Sequence, residues 1–198
     1  MSREYSLYKF FRALFSVVLA PFYPIRVRGR ENMPDGAAIV CGNHSHWSDP
    51  VLIIFAIGSR YHLHMMAKAE LFSKPVLGRF LTSVGMFPVD RGSNDISSVR
   101  RVIRYLKAGE KVGIFPEGTR VTDEKGGDPR NGAVYFAAKL GVPIVPVYIP
   151  RNRKLFRKVD VVIGEPYMIS TDTKDTETLN AESSVLMSRI ESLRERLG

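Results

Sequence analysis

The sequence predicts an α/β fold: one central sheet flanked by helices, preceded by an aromatic, amphipathic helical segment at the N-terminus. Three observations predict it. Short Val-, Ile- and Phe-rich runs bounded by Gly or Pro alternate with stretches of helical periodicity, the pattern of helices packed on one sheet. The 198 residues suit one domain. The 44% hydrophobic and 25% charged residues are ordinary for a globular chain and exclude disorder, collagen and a coiled coil as a description of the whole.

The elements follow in order. Residues 1–24 are aromatic-rich, with Arg3, Lys9 and Arg12 alongside. The 13 uncharged residues between Arg12 and Arg26 are interrupted by Pro21 and Pro24, and a spanning helix needs about 20. Ala20-Pro21-Phe22 makes a poor signal-peptidase site. The segment reads as an interfacial membrane anchor, against the alternative of a helix packed on the core. Residues 25–198 form the main domain. Residues 25–29 and 37–42 read as strands, 49–57 as a helix ending at Gly58, and 62–67 as a strand. A helical pair follows at 70–72 and 75–83. Ile96, Val99, Ile103 and Leu106 make one apolar face, with Arg100, Arg104 and Lys107 opposite, which is an amphipathic helix. Residues 111–115, 144–149 and 159–163 read as strands, and 122–131 as a loop. Leu186, Ile190, Leu193 and Leu197 mark a last amphipathic helix.

Charge adds a functional hint. Lys and Arg number 29 against 20 Asp and Glu, net +9, which favours an anionic partner. The excess is patchy: Arg151, Arg153, Lys154, Arg157 and Lys158 fall within eight positions with no acid among them. They suggest contact with an anionic membrane leaflet or docking of an acidic carrier protein. The single cysteine, Cys41, excludes an internal disulfide and agrees with a reducing compartment.

Four motifs carry chemistry. In Gly42-Asn-His-Ser-His-Trp-Ser-Asp-Pro50, His44 and Asp49 are five apart across a strand-to-helix turn, where a carboxylate can fold back on an imidazole. Such a pair makes His44 a competent general base, and the backbone N–H groups after His44 would meet a developing oxyanion. Asp49 as a helix-dipole partner, with His44 a bystander, is the alternative. Phe87-Pro-Val-Asp-Arg91 ends a strand in a phosphate-compatible cation. Phe115-Pro-Glu-Gly-Thr-Arg120 ends another strand in a carboxylate, a glycine and a second anion clamp. Val142-Pro-Ile-Val-Pro-Val147 reads as a rigid edge strand or pocket wall, stiffened by Pro143 and Pro146.

In this order and spacing the four motifs resemble the blocks of glycerolipid acyltransferases, above all the short bacterial 1-acyl-sn-glycerol-3-phosphate acyltransferases. The likeness spans residues 25–166, with Val121 and Asn131 as departures from the usual pattern. The resemblance implies acyl transfer from a thioester of coenzyme A or acyl carrier protein to the free hydroxyl of a lysophospholipid. It implies His44 as base with Asp49 as its orienting partner, and Arg91, Glu117, Gly118, Thr119 and Arg120 as acceptor-binding residues. Neither a cofactor nor a metal is expected, nor is nucleic acid as a partner. The expected location is the cytoplasmic face of a membrane, as a peripheral protein. Direct transfer needs no enzyme nucleophile, and no Gly-x-Ser-x-Gly elbow is present. Cys41 and Ser45 are the candidates for a covalent route.

Two other readings exist. His44 with His46, and His62 with His64, are His-x-His pairs that suit a zinc hydrolase, against which stands the shortage of clustered carboxylate or thiol ligands. A non-catalytic membrane-binding protein would use the N-terminal segment equally well.

Overall fold

The computed structural model describes residues 24–90, 95–121, 129–154, 156–170 and 175–197, with residues 6, 8–10, 13 and 14 of the N-terminal segment. Strands β1 (Ile25–Arg28), β2 (Ala38–Gly42), β3 (Leu63–Lys68), β4 (Met86–Val89), β5 (Lys111–Ile114), β6 (Ile144–Tyr148) and β7 (Val159–Ile163) form one sheet. Its order is β1-β7-β6-β2-β5-β3-β4. The five strands from β6 to β4 are mutually parallel; β7 runs antiparallel to β6, and β1 lies parallel to β7 at that edge. Helices α1 (Asp49–Ile57), α2 (Pro75–Ser83), α3 (Ile96–Lys107), α4 (Gly132–Leu140) and α5 (Thr176–Ser192) connect or cover the strands.

Alternation along β2 sorts the core into two layers. Ile39 and Cys41 join Val102 and Leu106 of α3, Val134 and Phe136 of α4, and Leu186 and Ile190 of α5. Ala38 and Val40 face the other way, onto Leu52, Ile53, Ile54 and Ile57 of α1. A sheet buried on both faces requires strands without a polar face, and all five residues of β2 are buried. The same holds for α1, which is buried at seven of nine positions. Helix α5 buries Leu186 and Ile190 as its stripe predicts, whereas α3 buries Ser98, Val102 and Leu106 and leaves Ile96 and Val99 of the expected stripe exposed. Asp95 and Asp175 cap the two N-termini by accepting from Ser98 N and Thr178 N.

Three expectations change. Helix α4 was not marked by the sequence pattern, because Ala133, Val134, Phe136, Ala137 and Ala138 are all buried and leave little amphipathic contrast. The Pro143–Pro146 run is an interior strand, β6, between β2 and β7. Pro146 is tolerated there because its carbonyl accepts from Gly164 N at 2.8 Å, on the β7 side beyond the last paired residue, Ile163. Its missing N–H points the same way, so the one bond forgone lies at the end of the β6–β7 ladder. In the N-terminal segment the described residues are helical; Tyr8 is buried, and Phe10 and Leu14 are exposed. The rest of that segment lies outside the described residues. No described helix is long and apolar enough to cross a membrane.

Asn43 ties the ends of two parallel strands together. Fully buried, it donates from Nδ2 to Ile149 O and accepts Ile149 N at Oδ1, both at 2.8 Å. Asn43→Ala leaves both backbone groups of Ile149 buried without partners, which costs about 2–4 kcal/mol. Asn43→Asp loses the donor and is expected to be no better. Urea unfolding of the two variants checks both statements.

Candidate active site

Beyond Gly42 the chain makes a short turn and enters α1 at Asp49. The Asp49 carboxylate is fully buried and folds back over that turn. Its Oδ2 accepts from Ser45 N and His46 N, each at 2.7 Å, and lies 2.9 Å from His44 Nδ1. Its Oδ1 accepts from the guanidinium of Arg153 at 2.5 Å, an ion pair whose side chains are 4% and 0% exposed. Burial alone would push the Asp49 pKa up. The bond from His44, the charge of Arg153 and the two amides outweigh that and hold it below the usual carboxylate range. Asp49 is therefore an anion at neutral pH, and an anion there selects the Nδ1–H tautomer of His44. The His44 ring stacks on Phe115, with centroids 4.1 Å apart and planes 15° from parallel. With Nδ1 engaged, Nε2 is the nitrogen left for the cavity that His44 lines.

The turn amides are thus consumed. Ser45 N and His46 N serve Asp49, and His44 N donates to Glu117 Oε2 at 2.6 Å. The expected oxyanion donors after His44 already have partners.

Glu117 follows β5 and is fastened rather than offered to a ligand. Its side chain is 0% exposed; Oε2 holds His44 N, and Oε1 accepts from Arg151 at 3.0 Å. Arg151 also binds Glu191 of α5 at 2.6 Å and donates to Val121 O at 2.9 Å. Val121 N in turn donates to His44 O at 2.7 Å. Gly118 has φ of +67°, and a Cβ there would lie 2.7 Å from Arg130 Nε; it allows the turn but does not face His44. Glu117 thus braces the loop, and Gly118 permits its turn. Thr119 and Arg120 do line the cavity with His44. Pro143 and Pro146 do not, so they are no wall of it. Arg91 lies outside the described residues.

The cavity has a volume of about 720 Å³ and runs between α1, α2 and the sheet. Val51, Ile54, Leu77, Phe80 and Met86 give it an apolar lining, to which His44, Lys68, Thr119 and Arg120 add polar groups. An apolar volume with a few convergent polar groups is the general form of a small-molecule site. Trp47 also lines it and is 60% exposed. Cys41 and Ser45 line none of it; Cys41 is fully buried, and burial pushes its thiol far above the usual range. Neither is placed as a nucleophile.

Sequence reasoning missed the roles of Arg151 and Arg153. Their side chains are 5% and 4% exposed and turned onto carboxylates, so they are not free for a leaflet or a carrier protein. Lys154, Arg157 and Lys158 remain exposed. Lys68, at the end of β3, lines the cavity without having been marked by any of the four motifs.

A histidine oriented by a buried carboxylate lines an apolar cavity together with Lys68 and Arg120. The chain belongs to the acyltransferase family, which it matches over residues 24–150. Within that family it stands with enzymes of one kind. It is 34% identical to a 1-acyl-sn-glycerol-3-phosphate acyltransferase of Bacillus subtilis (strain 168), over 96% of this chain and 98% of that protein. It is 33% identical to the enzyme of that name from Borreliella burgdorferi, over 68% of this chain and 54% of that protein. Its fold matches the crystal structure of the 1-acyl-sn-glycerophosphate acyltransferase PlsC from Thermotoga maritima, with a TM-score of 0.70 and 27% identity. That match covers 96% of this chain and 79% of the other.

Arg153→Ala strands the buried Asp49 charge, and the expected loss of stability at pH 7 is about 3–5 kcal/mol. Arg153 holds the Asp49 pKa down, so the variant protonates Asp49 at a higher pH than the wild type does. The difference between the two proteins therefore shrinks as pH falls from 7 toward 4.5. Urea titrations at the two pH values measure it; a pH-independent loss would assign the effect to packing.

Proposed function

We propose that this chain transfers a fatty acyl group from an acyl thioester, of coenzyme A or acyl carrier protein, to the free hydroxyl of 1-acyl-sn-glycerol-3-phosphate, giving phosphatidic acid. One observation carries the reading: His44 presents Nε2 to an apolar cavity while Asp49 holds Nδ1. In this mechanism the acceptor hydroxyl gives its proton to His44 Nε2 as its oxygen attacks the thioester carbonyl. The C–S bond then breaks and the thiol leaves with a proton returned by His44. Asp49 stabilises the imidazolium between the two steps without taking the proton. The acyl chain occupies the apolar cavity. Arg120 and Lys68, with Thr119, meet the acceptor phosphate and the charge that develops on the carbonyl oxygen.

Because both substrates are amphiphiles, the site must work at a membrane surface. The exposed Trp47 beside the cavity and the exposed Phe10 and Leu14 of the N-terminal segment support peripheral attachment, which we place on the cytoplasmic leaflet. No resident cofactor takes part in the proposed steps, and the basic N-terminal residues contribute electrostatic attraction to anionic lipid.

Release of free thiol from acyl-coenzyme A and from acyl carrier protein, against a panel of lysolipids, tests the reading. His44→Ala is expected to lower turnover by about 10²–10⁴-fold while leaving the fold and vesicle binding intact. Unchanged turnover would overturn the mechanism. Arg120→Ala is expected chiefly to raise KM for the lysophospholipid; a loss confined to kcat would place Arg120 on the reacting carbonyl alone.

A further inference from the structure

The fold treats the two His-x-His pairs differently. His44 and His46 spend ring nitrogens on Asp49 and Ser48, at 2.9 and 2.8 Å. His62 and His64 sit at the start of β3, at the opposite end of the parallel strands from His44, which follows the end of β2. Two residues apart on an extended chain, they share a face, and their ring centroids are 4.2 Å apart. Glu110, in the turn entering β5, places Oε2 at 2.5 Å from His64 Nε2. One ligand atom from each of His62, His64 and Glu110 lies within 4.8 Å of the other two.

The surroundings are those of a held ligand set. Tyr105 stacks on His64 at 3.6 Å and 7°, and Tyr8 packs on His62 at 4.3 Å. His64 Nε2 and Glu110 Oε2, at 2.5 Å, share a hydrogen bond when no ion is bound. A proton would serve one such pair, whereas three converging donors match what a metal ion takes. Tetrahedral zinc, bonded at about 2.0–2.1 Å, spaces its ligands about 3.3 Å apart. Small side-chain rotations bring the three atoms from the observed spread to that value.

We propose that His62, His64 and Glu110 form a binding site for a divalent transition-metal ion, zinc by the chemistry of the donor set, with water in the fourth position. Two imidazoles and one carboxylate favour such an ion over magnesium or calcium, which prefer oxygen ligands. The site lies away from the acyl-transfer residues, so its role is structural. It clips β3 to the turn between α3 and β5, and through the Tyr8–His62 contact it reaches the N-terminal segment.

The test uses the full chain without a histidine tag, stripped with a chelator and titrated with zinc against a chromophoric competitor. One zinc per chain is expected, with a rise in Tm of several degrees. Glu110→Gln, in a half-exposed turn, and His64→Ala are each expected to weaken binding at least ten-fold. Metal-free melts verify that both variants fold, while His46→Ala should bind as the wild type does. No stoichiometric binding, binding undiminished in Glu110→Gln and His64→Ala, or binding lost in His46→Ala would each overturn the proposal.

Discussion

A carboxylate removed from water must be neutralised from every side, and around Asp49 that demand organises the whole site. Its two oxygens accept from an imidazole, two turn amides and one guanidinium. Those partners come from the turn after β2 and from the chain after β6. Meeting the demand bends the turn, selects the tautomer of His44 and draws Arg153 inward. The orientation of the imidazole follows from the burial of its neighbour.

The same logic joins the second carboxylate. Glu117, after β5, holds His44 N and Arg151, so the loops after β2, β5 and β6 are interlocked by two buried acids and two arginines. Ends of parallel strands are where α/β proteins build their sites, and here their connecting loops are fixed to one another as well as to the sheet. Rigidity at this point has a chemical use. A general base contributes only when it stands within hydrogen-bond reach of the proton it takes.

Much of this was legible in the sequence. The strand–turn–helix around His44 and Asp49, the apolar strands and the stripe of α5 were readable because each is local and periodic. In α3 the helix was readable, but Ile96 and Val99 of its expected face are exposed. Helix α4 was not, since a helix buried on nearly all sides shows no polar face. Arg153 was read as part of a surface patch because its partner lies 104 residues away, and a run of like charges carries no mark of which members turn inward. Glu117 misled for the opposite reason: an acid between Pro116 and Gly118 looks exposed until Arg151 is seen to cover it. Thr119 and Arg120 line the same cavity as His44, so motif spacing brought residues of one cavity together without assigning tasks within it.

The bond between Arg151 and Glu191 couples distant parts of the chain in time as well as in space. Glu191 lies 40 residues beyond Arg151, near the C-terminal end of α5. As a ribosome extends the chain, the His44 turn emerges early, yet the arginine bracing its support lacks this carboxylate until the last helix has been made and has docked. The brace on Glu117 is complete only once α5 has docked, so the order of the His44 turn depends on a helix made long after it.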